Sequence, residues 1–120
     1  MPAYVDGFLL AIPARKIAAY RQISRRAGRI WREHGPLEYR ECVGDDLKTK
    51  MGRPFQKAAG VKSGETVVFS WIVYRSRADR DRINRKVMQD PRMLKAMKEP
   101  MPFDVKRMSF GDFRVLVDLA

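Results

Sequence analysis

Two carboxylates stand on otherwise apolar faces of predicted strands, and they are the first candidates for chemistry. Asp6 shares a face of the first strand with aromatic and aliphatic residues, and Glu41 occupies a similar position in a later strand. Two such groups could act as a paired acid and base if their strands were neighbours. In the strand order expected below they are not neighbours, so we expect Asp6 to form a structural ion pair with Lys106 or Arg107 of the last strand.

His34 is the only histidine of the chain, and imidazole is the side chain that most readily changes charge near neutral pH. The helical spacing places it beside Trp31, on the inward side of its helix. In a pocket it could serve as a general base or a haem ligand. A histidine at the end of a helix is more commonly a C-terminal cap, stabilised by the helix dipole, and we favour that interpretation.

Cys42 is the only cysteine, which excludes an internal disulfide and any paired-cysteine zinc or redox motif. Glu41 beside it and Asp45 nearby disfavour the thiolate, so the sequence does not favour Cys42 as a nucleophile. The sequence also has no glycine-rich phosphate loop, metal-ligand cluster or Ser–His–Asp arrangement. No metal is therefore expected, and no cofactor is indicated.

Several further side chains border the predicted core and could line a ligand pocket. Phe69, Trp71 and Met88 are large enough, although aromatic residues and methionines at this spacing are usually core. Arg80 and Asn84 lie beside the buried stripe of their helix and could cap a cavity. The resulting set of candidate pocket residues is Asp6, Trp31, His34, Glu41, Trp71, Arg80, Asn84 and Arg107.

The chain is strongly basic, with 25 lysines and arginines against 14 acidic residues, a net charge of +11. Such a charge attracts phosphates, nucleic acids and small anions. Four arginines on one face of the first helix could bind a polyanion, although a solvated helix face is the commoner use of such a stripe. This candidate polyanion-binding set is Arg21, Arg25, Arg29 and Arg32.

The order of hydrophobic periodicities predicts strand, helix, strand, strand, helix, strand, which is the ferredoxin-like βαββαβ plan of an α+β fold with an antiparallel sheet. At 120 residues, one such domain over residues 1–120 accounts for the whole chain. Ser76 and Asp79 form a capping-box-like pair, Gly35 and Pro36 stop the first helix, and Gly111 suggests a bulge. The predicted strands cover 3–12, 37–43, 65–74 and 105–118, and the helices cover 14–34 and 76–90. A charged loop, 45–63, includes a helical turn at 55–59, and Ile83, Val87 and Met88 form the buried stripe of the second helix.

The strand from Glu65 to Tyr74 is apolar on both faces, so it must be central and covered on both sides. In the ferredoxin-like plan the helices cover only one face of the sheet. The other face needs a partner, and a second copy of the chain is the simplest one, packed face to face in an obligate homodimer.

Several blocks of sequence resemble the uncharacterised YbaA-like bacterial proteins, a family defined by a domain of unknown function. The resemblance runs over nearly the whole chain, through Tyr4–Gly7, Glu41–Asp46, Val67–Ile72, Lys86–Met88, Asp90–Met93 and Met101–Met108. It implies the dimeric α+β barrel superfamily, in which two ferredoxin-like sheets face each other. That superfamily also contains cofactor-independent antibiotic-biosynthesis monooxygenases and haem-degrading enzymes, but none of their catalytic motifs is present.

Together these observations predict a protein that binds or turns over a small anionic or aromatic molecule in a pocket between sheet and helices. The alternative is non-specific binding of RNA or another polyanion through the arginine-rich helix faces. An RNA-recognition-motif mode is disfavoured, because Val67 to Tyr74 lacks the basic–glycine pair and carries aliphatic residues where stacking needs rings. Without a long apolar run or a signal peptide, no membrane contact is expected and a cytoplasmic location is predicted.

Overall fold

The computed structural model describes residues 2–119, and its four strands form one antiparallel sheet. The sheet has the order β2-β3-β1-β4, so the two strands with apolar residues on both faces are the central ones. This is the predicted ferredoxin-like βαββαβ arrangement. The strands are β1 (Tyr4–Pro13), β2 (Glu38–Val43), β3 (Glu65–Tyr74) and β4 (Ser109–Arg114), and the helices are α1 (Ile17–Glu33), α2 (Phe55–Ala59), α3 (Arg77–Gln89) and α4 (Pro91–Ala96).

Helices α1, α3 and α4 pack on one face of the sheet, where two groups of buried side chains form the core. One joins Ile30 of α1 and Met93 of α4 to Ile72 and Tyr74 of β3. The other joins Tyr20 of α1 to the strand residues Leu10, Ile12 and Val68. Alternate residues of β1 and β3 therefore point toward the helices, and the remaining residues point away from them.

The helix boundaries follow local signals. The Ser76 hydroxyl accepts a hydrogen bond from the backbone N–H of Asp79 at 3.1 Å, which caps the N-terminus of α3. The first helix ends where Gly35 adopts a φ of +106°, a conformation that glycine adopts without steric cost. None of the helices in the part of the chain described, 2–119, is long and apolar enough to cross a membrane.

The opposite face of the sheet, which we call the open face, is covered by a helix only at one end. There α2 packs against β1 and β3, and its Phe55 ring meets Phe69 edge-on at 5.9 Å between centroids. Ala11 and Val67 are buried beneath it. The prediction that helices cover one face only is therefore wrong at this end, because the loop before β3 folds back as a short helix.

Beyond α2 the open face is an apolar hollow of about 730 Å³, lined by residues of the central strands and β4. Phe69 and Phe113 are exposed there, and Trp71 packs edge-on against Phe69 at 5.5 Å. The open face therefore exposes apolar side chains of β3 and β4 to solvent.

Three details of the sequence-based prediction are corrected. The last strand begins at Ser109, because Val105–Arg107 forms a 3₁₀ turn after Asp104, whose carboxylate accepts from the Lys106 N–H. Gly111 does not form a bulge but pairs with Gly7 in an unbroken register. Met88 is exposed, because it lies one residue beyond Val87 and points away from the sheet.

Candidate functional site

A cavity of about 440 Å³ lies between the helix-facing side of the sheet and α1, closed by the chain after α4. Aromatic and methionine side chains dominate its walls. The polar groups that reach it come from the edge strand β2, from Ser70 of β3 and from Tyr20 of α1. Its walls are formed by Phe8, Leu10, Tyr20, Trp31, Tyr39, Arg40, Glu41, Ser70, Trp71, Ile72, Met97, Met101, Phe103, Val105 and Met108.

Glu41 is the acidic residue of this cavity, and two tyrosines orient it. Tyr20 of α1 donates its hydroxyl to Oε1 at 2.8 Å, and Tyr39 donates to Oε2 at 2.9 Å. Tyr39 and Glu41 lie two residues apart on β2 and therefore share the helix-facing side of the sheet. The carboxylate is thus held by one donor from the helix layer and one from its own strand.

The pKa values of Tyr20 and Tyr39 are raised well above the ordinary value of a phenol. Burial is the larger cause, and the negative charge of Glu41 is the second. Both hydroxyls consequently remain protonated donors at physiological pH. Each oxygen of Glu41 accepts one tyrosine and has further lone-pair capacity. The carboxylate can therefore accept another hydrogen bond, or a proton, from a molecule bound in the cavity.

Gly28 allows α1 to approach β2 closely enough for this arrangement. A Cβ at this position would lie 2.6 Å from Cε1 of the Tyr39 ring. Only a glycine leaves room for that ring in its observed position. The close approach of the two elements is what places Tyr20 and Tyr39 on either side of one carboxylate.

A second polar cluster lies at the β1–β4 edge of the helix-facing side. The buried Asp6 accepts from the Tyr74 hydroxyl at 2.9 Å and from Nε of Arg80 at 3.2 Å. Arg80 also donates to Asp112, which faces Asp6 across the β1–β4 pair, at 3.1 Å. Burial, and then the neighbouring Asp112 carboxyl, raise the pKa of Asp6 to about 6.

The predicted ion pair of Asp6 with Lys106 or Arg107 is therefore wrong. Arg107 precedes β4 and instead binds Glu65 at the start of β3, with contacts of 2.8 and 2.7 Å. That bond is the main reason why the pKa of Glu65 is lowered to about 2. The prediction failed because the last strand starts only at Ser109, so the residues before it do not pair with β1.

The model of one protein family matches residues 3–105, and that family is described as Protein of unknown function (DUF1428). The uncharacterized protein YbaA of Escherichia coli strain K12 is 44% identical over 115 residues, covering 96% of this chain and 97% of YbaA. The chain belongs to this family. An identically named protein of Shigella flexneri matches to the same extent.

Solved structures show the same fold for this DUF1428 member. SnoaB, a cofactor-independent oxygenase from Streptomyces nogalater, has a TM-score of 0.64 at 11% identity, with 99% of this chain and 98% of that chain covered. A putative antibiotic biosynthesis monooxygenase from Nitrosomonas europaea has a TM-score of 0.62 at 12% identity, with 95% and 90% covered. At such identities the likeness establishes the fold and nothing about activity.

Of the eight candidate pocket residues in this DUF1428 chain, the cavity at Glu41 brings together Trp31, Glu41 and Trp71. Trp71 only borders it, since its ring packs against Phe69 on the open face. Asp6 and Arg80 form the separate edge cluster, and Arg107 lies with Glu65. Asn84 lines a shallow surface depression on α3.

His34 lies outside the cavity, at the junction of α3 and α4. Its Nε2 is 2.9 Å from Oδ2 of Asp90. The pKa of the Asp90 carboxyl is far below its usual range, mainly because Arg92 donates a hydrogen bond to it and secondly because of its hydrogen bond with His34. Its backbone N–H bonds to the Trp31 carbonyl at the end of α1. Its side chain links this end of α1 to Asp90, which lies between α3 and α4.

The sequence-based reasoning missed the two tyrosines and the methionine-rich wall. The Tyr39–Arg40–Glu41 alternation already placed a hydroxyl and a carboxylate on one strand face, and that was the available signal. Tyr20 and the residues after α4 reach the cavity only through long-range packing, since Tyr20 and Glu41 are 21 residues apart.

The four arginines of the candidate polyanion-binding set are exposed, as predicted. Arg32 differs from the others because its guanidinium donates to the carbonyls of Pro36 and Leu37. It thereby stabilises the turn after α1. A polyanion-binding role for this helix face stays a prediction.

Proposed function

We propose that this protein binds a small aromatic molecule in the cavity between the sheet and α1, with Glu41 accepting a hydrogen bond from it. The observation that carries the proposal is the carboxylate fixed between two tyrosine hydroxyls inside an otherwise aromatic and methionine-lined cavity. Ligand sites are typically mostly apolar, with a few oriented polar groups. If the molecule is turned over, the first step would be a proton transfer to Glu41.

The cavity favours a neutral aromatic ligand with an O–H or N–H donor over an anionic one. Glu41 is a poor neighbour for a second negative charge, because like charges at short range repel. The single cationic side chain at the cavity, Arg40, is largely exposed and pairs with Glu38 at 3.4 Å. The two solved structures with this fold are described as a cofactor-independent oxygenase and a putative antibiotic biosynthesis monooxygenase, but a shared fold alone does not carry an activity.

The proposal can be tested with three probes of the same shape: 1-naphthol, which has a donor, naphthalene, which has none, and 1-naphthoate, which is anionic. Calorimetric titration should give the tightest binding for 1-naphthol. A hydrogen bond to a charged acceptor contributes about 1.5 to 3 kcal/mol, so naphthalene should bind about tenfold more weakly or worse. Naphthoate should be the weakest of the three.

Glu41→Gln should reduce the preference for 1-naphthol over naphthalene, because a neutral amide oxygen is a weaker acceptor. Glu38→Gln is the matched control, since it removes the same charge from the other face of β2. Equal binding of 1-naphthol and naphthalene to the native protein, or an equal effect of the two substitutions, would exclude the assigned role of Glu41.

We also propose that the open face packs against the open face of a second copy. The support is the uncovered apolar hollow on the two central strands, with Phe69 and Phe113 exposed. A homodimer would bury these side chains while leaving the cavity at Glu41 on the other side of the sheet in each copy. This arrangement separates assembly from ligand binding.

A further inference from the structure

A groove of about 610 Å³ runs between α1 and the α4 region, on the outer side of the helix layer. Its floor is apolar, and it includes Ile23, Ala27, Met97 and Met101. The two methionines are 60% and 40% exposed although they are apolar. The α1–α4 groove, defined by these residues and the rim described next, is separate from the open face and shares Met97 and Met101 with the cavity at Glu41.

Three cationic side chains border this floor, namely Arg26, Arg29 and Lys95. Each is exposed, and within residues 2–119 none of them forms an ion pair or a side-chain hydrogen bond. The other rim charges are largely matched, because Arg92 is bound to Glu33 and Asp90. The lining also contains two acidic residues, Glu33, which is bound to Arg92, and Glu99. The groove therefore combines an apolar floor with uncompensated positive charge.

The groove has the size of a short helix. The α1 residues that line it run from Ile23 to Glu33, which corresponds to about 15 Å of helix length and hence to a partner helix of about ten residues. Amphipathic helices bind other proteins by laying an apolar face into such grooves. Methionines suit this role because their flexible side chains adapt to the partner.

We propose that the α1–α4 groove binds an acidic amphipathic helix of another protein. The apolar face of that helix would cover the methionines, and its carboxylates would pair with Arg26, Arg29 and Lys95. The chain itself is not the partner, because its net charge of +11 and the cationic rim repel a second copy at this surface. Nucleic acid is a poorer fit, because a phosphate backbone leaves an apolar floor without a partner.

The test uses a fluorescein-labelled synthetic peptide of about 14 residues, with leucines on one helical face and glutamates on the other. A peptide of the same composition, scrambled to destroy the amphipathic pattern, and one with lysines in place of glutamates serve as comparisons. Fluorescence anisotropy with the full-length protein should show saturable binding of the acidic amphipathic peptide. The scrambled and basic peptides should bind about tenfold more weakly or worse.

The matched variants reverse two charges each on the same helix. Arg26→Glu with Arg29→Glu should weaken peptide binding about tenfold or more, whereas Arg21→Glu with Arg25→Glu, outside the groove, should change it by less than about twofold. All four positions are exposed, so both variants should keep the melting temperature of the native protein.

The proposal is overturned if the scrambled peptide binds as tightly as the amphipathic one, or if both double variants lose binding equally, since either result means attraction by net charge alone. It is also overturned if none of the peptides binds while vesicles of phosphatidylglycerol or a short duplex RNA do. Neither outcome affects the assignment of Glu41, because the naphthol titration reports on the other cavity.

Discussion

Asp6 is a buried carboxylate held by Tyr74 and Arg80, and its electrostatic environment differs from that of the other acidic residues with shifted pKa values. Burial and the facing Asp112 raise its pKa from 3.8 to about 6. In contrast, the bond from Arg107 lowers the pKa of Glu65 to about 2. The two carboxylates therefore affect stability with opposite signs and in different ranges of pH.

For Asp6 we expect the free energy of unfolding to fall as the pH rises from about 4 to about 6. In this range the native protein retains the proton of Asp6 while the unfolded chain has lost it, so raising the pH favours unfolding. The stabilisation by Asp6 is complete at pH values below its pKa in the unfolded chain. It is lost as the pH rises through its pKa in the folded protein, which is about 6. Over the whole range the change should be at most about 3 kcal/mol, and urea denaturation at a series of pH values measures it.

Asp6→Asn should abolish this fall, because the amide does not titrate. Asp46→Asn, an exposed carboxylate of the loop before α2, is the matched control and should leave the profile unchanged. Glu65 contributes stability that appears as the pH rises from about 2 to 4.5, so readings above pH 4.5 isolate Asp6. An unaltered slope in Asp6→Asn would refute the assignment.

Two elements, α1 and β2, pack together at Gly28, where a Cβ would lie 2.6 Å from the Tyr39 ring. The carboxylate between Tyr20 and Tyr39 depends on that approach, because one tyrosine comes from each element. On the far side, Met97 and Met101 are shared by the cavity at Glu41 and the α1–α4 groove. The chain after α4 therefore separates the two sites with a single layer of side chains.

Gly28→Ala should destabilise the protein, in contrast to its effect on an isolated helix. Helix propensity alone favours alanine by about 1 kcal/mol. Here the new Cβ would lie 2.6 Å from the Tyr39 ring, and overpacking of this kind costs about 1 to 3 kcal/mol. Urea denaturation should give a net loss of stability and, if Tyr39 is displaced, weaker binding of 1-naphthol.

Ala18→Gly, at an exposed position of the same helix, is the control for propensity and should cost about 1 kcal/mol without affecting ligand binding. A more stable Gly28→Ala protein would mean that Tyr39 moves aside without loss and that α1 does not need a glycine to approach β2.

The whole molecule presents one face of its sheet to solvent except where α2 covers it. If two copies pack through this face, light scattering should report a dimer at micromolar concentration, with about 2,000 Å² or more buried. Phe113 is 60% exposed on this face. Phe113→Asp should give a monomer, because dimerisation would bury an unpaired carboxylate at the interface.

Met51→Asp is the control, since Met51 is 87% exposed in the loop before α2 and contributes nothing to the lining of the hollow. It should remain dimeric. A native protein that scatters as a stable monomer would exclude the proposed homodimer.

The sequence alone predicts the order of strands and helices, the central position of β1 and β3, and the capping of α3 by Ser76. These features depend on local periodicity and on hydrogen bonds between residues three or four apart, which can be inferred from neighbouring residues. It also placed Asp6 and Glu41 on the correct face of their strands, because alternation alone decides the face.

The groups that those two carboxylates contact depend on the tertiary structure. Asp6 pairs with Arg80 and Tyr74, and Glu41 with Tyr20, across separations of 74, 68 and 21 residues. Because β4 starts at Ser109, Arg107 lies before the strand and binds Glu65, whereas Asp112 faces Asp6. Such contacts depend on strand register and on the seating of α1 against the sheet, and in a sheet a shift of one residue reverses every side chain. That sensitivity is why the partners of polar groups could not be inferred from local sequence, whereas the fold could.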